Sequence, residues 1–148
     1  MGYSSTAKSA VWRFVAMTFN FYINVMAFYN QVDMIQVTIT ERDADKADDE
    51  YTVLRRRFLG VWSFALICFF VQVVGLLSGL TTQFKSINAA DATLHLVGAF
   101  FLTWAIADGW TIRSYFVIAS FFVILPATLD MAVLLYRIGR LQTWELFR

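Results

Sequence analysis

Three titratable side chains lie within long apolar segments of this chain: Asp91, His95 and Asp130. Asp91 and His95 are four residues apart, so they share one face of a helix. A histidine with carboxylates in an apolar environment can relay protons or bind a metal ion. These are few ligands for a metal, and a relay needs an entrance and an exit. We therefore favour a structural role, in which Asp130 accepts a hydrogen bond from His95.

The segments that would position these side chains have the composition of membrane helices. Of the 148 residues, 59% are hydrophobic and 18% aromatic, above the roughly 45–50% apolar content of soluble domains. Stretches with few charges predict four transmembrane helices. They are residues 13–32, 58–80, 88–108 and 114–137. We predict an all-α fold, a single domain 1–148 built as an integral membrane bundle of four transmembrane helices, with an acidic loop at 33–57.

Local signals indicate where two of these helices begin, end or bend. Asn88, with Asp91 three residues later, is typical of a helix N-terminus, where side-chain oxygens accept hydrogen bonds from free backbone N–H groups. Gly109 suits the C-terminal end of the same helix. Pro126 removes a backbone hydrogen bond to the carbonyl of Phe122, and we predict a kink in the fourth helix there.

Each predicted helix also carries one polar side chain at a similar depth. With a rise of about 1.5 Å per residue, these side chains lie roughly 9–12 Å inside the same membrane surface. They are Asn20, Gln72, His95 and Asp130. A carboxylate in hydrocarbon needs a partner at its own depth. We predict an intramembrane polar layer that joins the four helices.

Small residues near the end of the second predicted helix favour close helix packing. Gly75 and Gly79 are four residues apart, and Ser78 lies beside them. Without bulky side chains, another helix can approach closely and gain dispersion contacts. The helix that makes this contact belongs either to the same chain or to a partner.

Charged residues concentrate in the predicted loop and directly after it. The decapeptide 41–50 holds six acidic and two basic residues, but it lacks the glycine and the final glutamate of a calcium-binding loop. Arg55, Arg56 and Arg57 directly precede the second predicted helix. They contact either anionic lipid headgroups or the acids of the loop.

Composition excludes several classes of function. A net charge of +1 gives no concentrated basic surface for nucleic acid. The single cysteine, Cys68, cannot form an intrachain disulfide. The sequence contains no phosphate-binding loop, nucleophile elbow or metal-ligand pattern, so we expect neither an enzyme nor a cofactor, a structural lipid excepted. The expected partners are the lipid bilayer and other membrane-protein subunits.

The second half of the chain resembles a known family. The residues that carry the resemblance span about 70–137, in this order: Gly75-Leu76-Leu77-Ser78-Gly79, Phe84, His95, Trp110, Leu125-Pro126-Ala127 and Asp130-Met131. Their order and spacing are similar to those of the transmembrane protein 107 family. The resemblance implies a four-span protein of the ciliary transition zone with cytosolic termini, which organises the membrane within the Meckel-type module. It implies no catalytic residues.

The predicted function is that of a non-catalytic structural subunit of a multiprotein membrane complex, located by resemblance in the ciliary transition zone. One alternative is an accessory subunit of a respiratory or ATP synthase complex in the mitochondrial inner membrane. A second is a proton or ion carrier that uses His95 and Asp130. The positive charges are divided evenly between the two predicted sides, so they give no orientation.

Overall fold

The computed structural model describes residues 2–40, 47–79 and 81–145, and the side chains within 7–40, 49–79 and 81–139. The described residues are almost all helical, and none of them forms a strand, which confirms the all-α class. The helices are α1 (Gly2–Tyr29), α2 (Gln31–Thr40), α3 (Ala47–Leu77), α4 (Lys85–Ala107), α5 (Ile112–Ala119) and α6 (Leu125–Glu145). A π-helical turn, Ser120–Ile124, joins α5 to α6.

By length and composition, three helical segments of the described chain can cross a membrane, not the four expected from the sequence. They are Asp49–Leu77, Lys85–Ala107 and Ile112–Gly139. The length of α1 is sufficient, but Arg13, Asn20 and Asn24 lower its mean hydropathy. All three of these side chains are buried.

Side-chain contacts define the directions of the four long helical segments. Arg13 and Asn20 in α1 contact Asn88 and His95 in α4, so α1 and α4 run in parallel. The other two segments run in the opposite direction. In α3, Trp62 contacts Asn24 and Gln72 contacts His95. In the last segment, Tyr115 contacts Asn24 and Asp130 contacts Arg13.

The predicted loop at 33–57 is mostly helical in the structure. Residues 33–40 belong to α2, and 47–57 form the first turns of α3, while 41–46 lie outside the described residues. Met34 and Ile35 are buried, and the Thr38 hydroxyl accepts a hydrogen bond of 3.0 Å from the backbone N–H of Ile112. The predicted loop is wrong because a polar segment can still form a helix with one buried face, as α2 does.

The small residues predicted to form a helix contact instead form the end of α3. Gly79 follows the helix with a φ of 73°, and the Ser78 hydroxyl donates to the carbonyl of Gly75. A Cβ on Gly75 would lie 3.2 Å from the Thr81 side chain, in the turn that follows α3. In the described part of the chain, these residues therefore allow the chain to turn back after α3, and a contact through them with a helix of a partner stays a prediction.

A glycine outside the predicted small-residue segment allows a close helix approach. A Cβ on Gly98 in α4 would lie only 2.4 Å from Cβ of Phe122 in the π-helical turn. Gly98 therefore lets α4 pack directly against this turn. At the C-terminal end of α4, Gly109 has a φ of 62°, and the backbone N–H of Trp110 donates to the carbonyl of Ala105. The predicted end of this helix is confirmed.

Candidate functional site

A buried arginine lies at the centre of one polar cluster. The Arg13 side chain is 0% exposed. One of its terminal nitrogens, Nη1, donates to Thr81 Oγ1 and Asn88 Oδ1, each at 3.2 Å. The other, Nη2, donates to Asp130 and lies 3.2 Å from Asp91 Oδ2, without hydrogen-bond alignment to that oxygen. We call these five residues the ion cluster.

The ion cluster joins three helices and a turn. Arg13 comes from α1, Asp91 and Asn88 from α4, Asp130 from α6, and Thr81 from the turn between α3 and α4. A planar guanidinium has five N–H donors and is less strongly hydrated than an ammonium, so arginine is suited to buried ion pairs. Removing one member of such a pair leaves an uncompensated buried charge, which costs about 3–5 kcal/mol. The ion cluster thus resists separation of these helices.

A second cluster surrounds His95. Asn20 Nδ2 donates to His95 Nδ1 at 3.0 Å, and His95 Nε2 lies 2.7 Å from Gln72 Oε1. Because Nδ1 accepts a hydrogen bond, the ring hydrogen is assigned to Nε2, which donates to Gln72. Phe69 stacks on the imidazole with ring centroids 5.8 Å apart. We call Asn20, Gln72 and His95 the histidine cluster.

The two amides of the histidine cluster also bind backbone carbonyls of the π-helical turn. Asn20 Nδ2 donates to the carbonyl of Phe122 at 3.3 Å, and Gln72 Nε2 donates to that of Val123 at 3.5 Å. Pro126 has no N–H to offer the Phe122 carbonyl, four residues earlier. Asn20 supplies a donor from another helix in its place. Side chains from neighbouring helices thereby stabilise the irregular backbone before Pro126.

A third polar group lies further along α1. Asn24 Nδ2 donates to Asn20 Oδ1 at 3.1 Å, and the Tyr115 hydroxyl donates to Asn24 Oδ1 at 3.2 Å. The indole N–H of Trp62 donates to the Asn24 carbonyl at 3.1 Å. Asn24 thus links α1 to α3 and α5. Polar groups of α1, from side chains and from the Asn24 backbone, therefore contact every other long helical segment of the bundle.

The structure brings together three of the four residues predicted to form one layer. Asn20 and Gln72 each contact His95, whereas Asp130 belongs to the ion cluster. The predicted hydrogen bond between His95 and Asp130 is wrong. A charged guanidinium is a stronger donor to a carboxylate than a neutral imidazole, and Arg13 occupies that position.

The predicted capping role of Asn88 and Asp91 is also wrong. Helix α4 begins after Phe84, which makes no side-chain cap hydrogen bond, and both predicted capping residues are buried within the helix. Asn88 Nδ2 donates to the carbonyl of Thr82 at 2.7 Å while its oxygen accepts from Arg13. The described residues contain no group of three or more His, Cys, Asp or Glu side chains arranged to hold a metal.

Sequence reasoning missed Arg13, Asn24 and Tyr115. Arg13 was treated as the charged end of a helix, although it precedes Asn20 by seven residues and Asn24 by eleven. These intervals correspond to about two and three helical turns. The three polar side chains therefore lie on one face of α1, and this spacing was the signal that could have identified them.

The helices and their buried polar contacts define an α-helical integral membrane protein of the multi-pass class. The chain belongs to the TMEM107 family, whose model, described as "Transmembrane protein", matches residues 11–134. This match includes α1 from Val11 onward and extends through the ion and histidine clusters. No curated protein and no solved structure matches the chain.

Proposed function

We propose that this protein is a non-catalytic subunit that organises a multiprotein membrane complex. The observation that carries the proposal is that the buried polar side chains bind one another. In the ion and histidine clusters, the side chains contact other helices of the same chain and hold the bundle together. The outer faces of α1 and α3 carry exposed apolar side chains, including Trp12, Tyr22 and Phe70. These faces are available to lipid and to partner subunits.

We infer the ciliary transition zone as the location, on the basis of family membership. The test is expression of a tagged chain in ciliated cells, with imaging and identification of the subunits that co-purify with it. Signal at the ciliary base together with membrane-protein partners supports the proposal. Signal in the mitochondrion with respiratory or ATP synthase subunits would assign the chain to an inner-membrane complex instead.

We further infer that α1 crosses the bilayer as a fourth helix. Its parallel contacts with α4 extend from the ion cluster to the histidine cluster, and Asn24 reaches Tyr115 beyond them. Arg13 lowers the mean hydropathy of α1 but is buried, so it does not expose its charge to lipid. Four crossings place both termini on one side of the membrane, whereas three place them on opposite sides. Epitope tags at the two termini, stained after selective permeabilisation, distinguish these topologies.

The carrier alternative can be tested with the same two residues from which it was predicted. The structure gives His95 and Asp130 separate partners, which supports a structural role for each. In sealed liposomes, we expect neither the wild-type chain nor Asp130→Asn to conduct protons or ions, while the variant loses stability or assembly. Flux in the wild-type protein that Asp130→Asn abolishes without loss of stability would replace the structural proposal.

A further inference from the structure

Three consecutive arginines cover the outward half of α3 near its start. Leu54 and Phe58 are buried and mark the inward face of this helix, while Arg55, Arg56 and Arg57 are exposed. At about 100° per residue, Arg56 lies roughly opposite both buried side chains. Its neighbours point to either side of it. The three guanidiniums therefore form an arc around the outside of the bundle, which we call the arginine arc.

Helix geometry gives the arginine arc no acidic partner on α3 itself. Ion pairs along a helix form between residues three or four apart. The positions at this spacing from the three arginines, on either side, contain no aspartate or glutamate. Helix α5 packs against α3 near this point, because the Tyr115 and Phe58 ring centroids are 4.8 Å apart, and the exposed Arg113 on α5 lies at the same end of the bundle.

The length of α3 places the arginine arc at a membrane surface. From Arg57 to Leu77 the helix rises about 30 Å, the thickness of the hydrocarbon core. One turn further into this core from Arg56 lies Gly60, where an added Cβ would meet nothing within 4 Å. Ile67 and Phe70 follow on the outer surface and are 59% and 69% exposed. From the membrane surface inward, α3 thus presents positive charge and then an open apolar surface. A phospholipid has the same order, with its charged headgroup at the surface and its acyl chains deeper.

We propose that the arginine arc binds the phosphate of anionic phospholipids, with the acyl chains lying along the outer surface of α3 past Gly60. Guanidinium groups bind phosphate oxygens through paired N–H donors. This inference goes beyond the proposed function and does not depend on it. The sequence predicted two possible partners for these arginines, and the proposal favours anionic lipid headgroups over the acids of 41–50.

The test measures headgroup preference in the full-length chain. Protein is released for native mass spectrometry from micelles that contain equal amounts of phosphatidylglycerol and phosphatidylcholine, and the ratio of the two adducts is recorded. We expect the wild-type chain to prefer phosphatidylglycerol, and Arg56→Gln to lower that preference about fivefold, the contribution of one basic residue near an anionic surface. Arg56→Lys should retain most of the preference.

A matched control comes from the opposite end of the bundle. Arg137 already donates to Gln83 Oε1 at 2.6 Å and lies over the Phe84 ring, so Arg137→Gln should leave the ratio unchanged. An equal ratio for both lipids in the wild-type chain would overturn the proposal. So would a preference that Arg56→Gln leaves intact. If Asp43→Asn, Asp45→Asn and Asp48→Asn together create a preference that the wild type lacks, the arginines pair with the acids of 41–50.

Discussion

Replacing Arg13 by methionine is the most direct test of the ion cluster. Methionine has a similar length and no charge, so Arg13→Met keeps most of the packing and removes the guanidinium. Asp91 and Asp130 would then remain in the interior without their cation, and the side-chain oxygens of Thr81 and Asn88 would lose a donor. Breaking a buried ion pair by removing one partner costs about 3–5 kcal/mol. We expect the folded bundle to lose at least this much stability.

Thermal unfolding in detergent, followed by tryptophan fluorescence, measures this loss. For a chain of this size, each 1 kcal/mol corresponds to a few degrees in Tm, so we expect Arg13→Met to lower Tm by about 10 °C or more. The matched control is Lys85→Met, which removes an exposed cation from the start of α4. Surface substitutions of this kind change stability by about 0.5 kcal/mol or less.

A second substitution separates a structural ion cluster from nonspecific damage. Adding Asp130→Leu to Arg13→Met removes a carboxylate that the single variant leaves unpaired, so the double variant should be more stable than the two separate losses predict. Coupling energies between contacting residues reach about 0.5–3 kcal/mol. A wild-type Tm for Arg13→Met, or simple additivity in the double variant, would refute the structural role of these ion pairs.

Two further substitutions test the packing at Gly98 and the hydrogen bond between Tyr115 and Asn24. Gly98→Ala should lower stability by about 1–3 kcal/mol, because its Cβ would overlap Phe122, whereas Gly60→Ala should be neutral or stabilising by up to about 1 kcal/mol. Equal effects in thermal unfolding would contradict the close approach at Gly98. Tyr115→Phe should cost about 1 kcal/mol in the same assay, since Asn24 Oδ1 loses a donor. An unchanged Tm would mean that this hydrogen bond contributes nothing.

The depth of polar side chains was predictable because the rise of an α-helix is nearly constant. Counting along each predicted helix placed Asn20, Gln72 and His95 at similar depths, and the structure joins them by hydrogen bonds. Counting does not determine how each helix is rotated about its axis or which neighbour it meets. Asp130 therefore received the wrong partner, although its burial and its need for a donor were predicted correctly.

The π-helical turn depends on contacts between distant parts of the chain. Pro126 indicated an irregular fourth helix, but the donors that stabilise the turn come from Asn20 and Gln72, on two other helices. The role of Gly98 also depends on a contact with a distant part of the chain. A glycine in a helix gives no sign of its own that a π-helical turn packs against it. Such features follow from tertiary packing and have no local pattern.

Arg13 shows why α1 differs in mean hydropathy from the other three long helical segments. A charge within an apolar segment lies either at the membrane surface or on an inward face with a partner. Mean hydropathy counts an arginine in the same way in both positions. It is therefore low for α1, although the polar side chains of this helix hold the bundle together. The inward-facing polar side chains of α1 both lower its mean hydropathy and make its contacts with the other helices. A buried arginine with carboxylate partners lowers the mean hydropathy of a helix without exposing a charge to lipid.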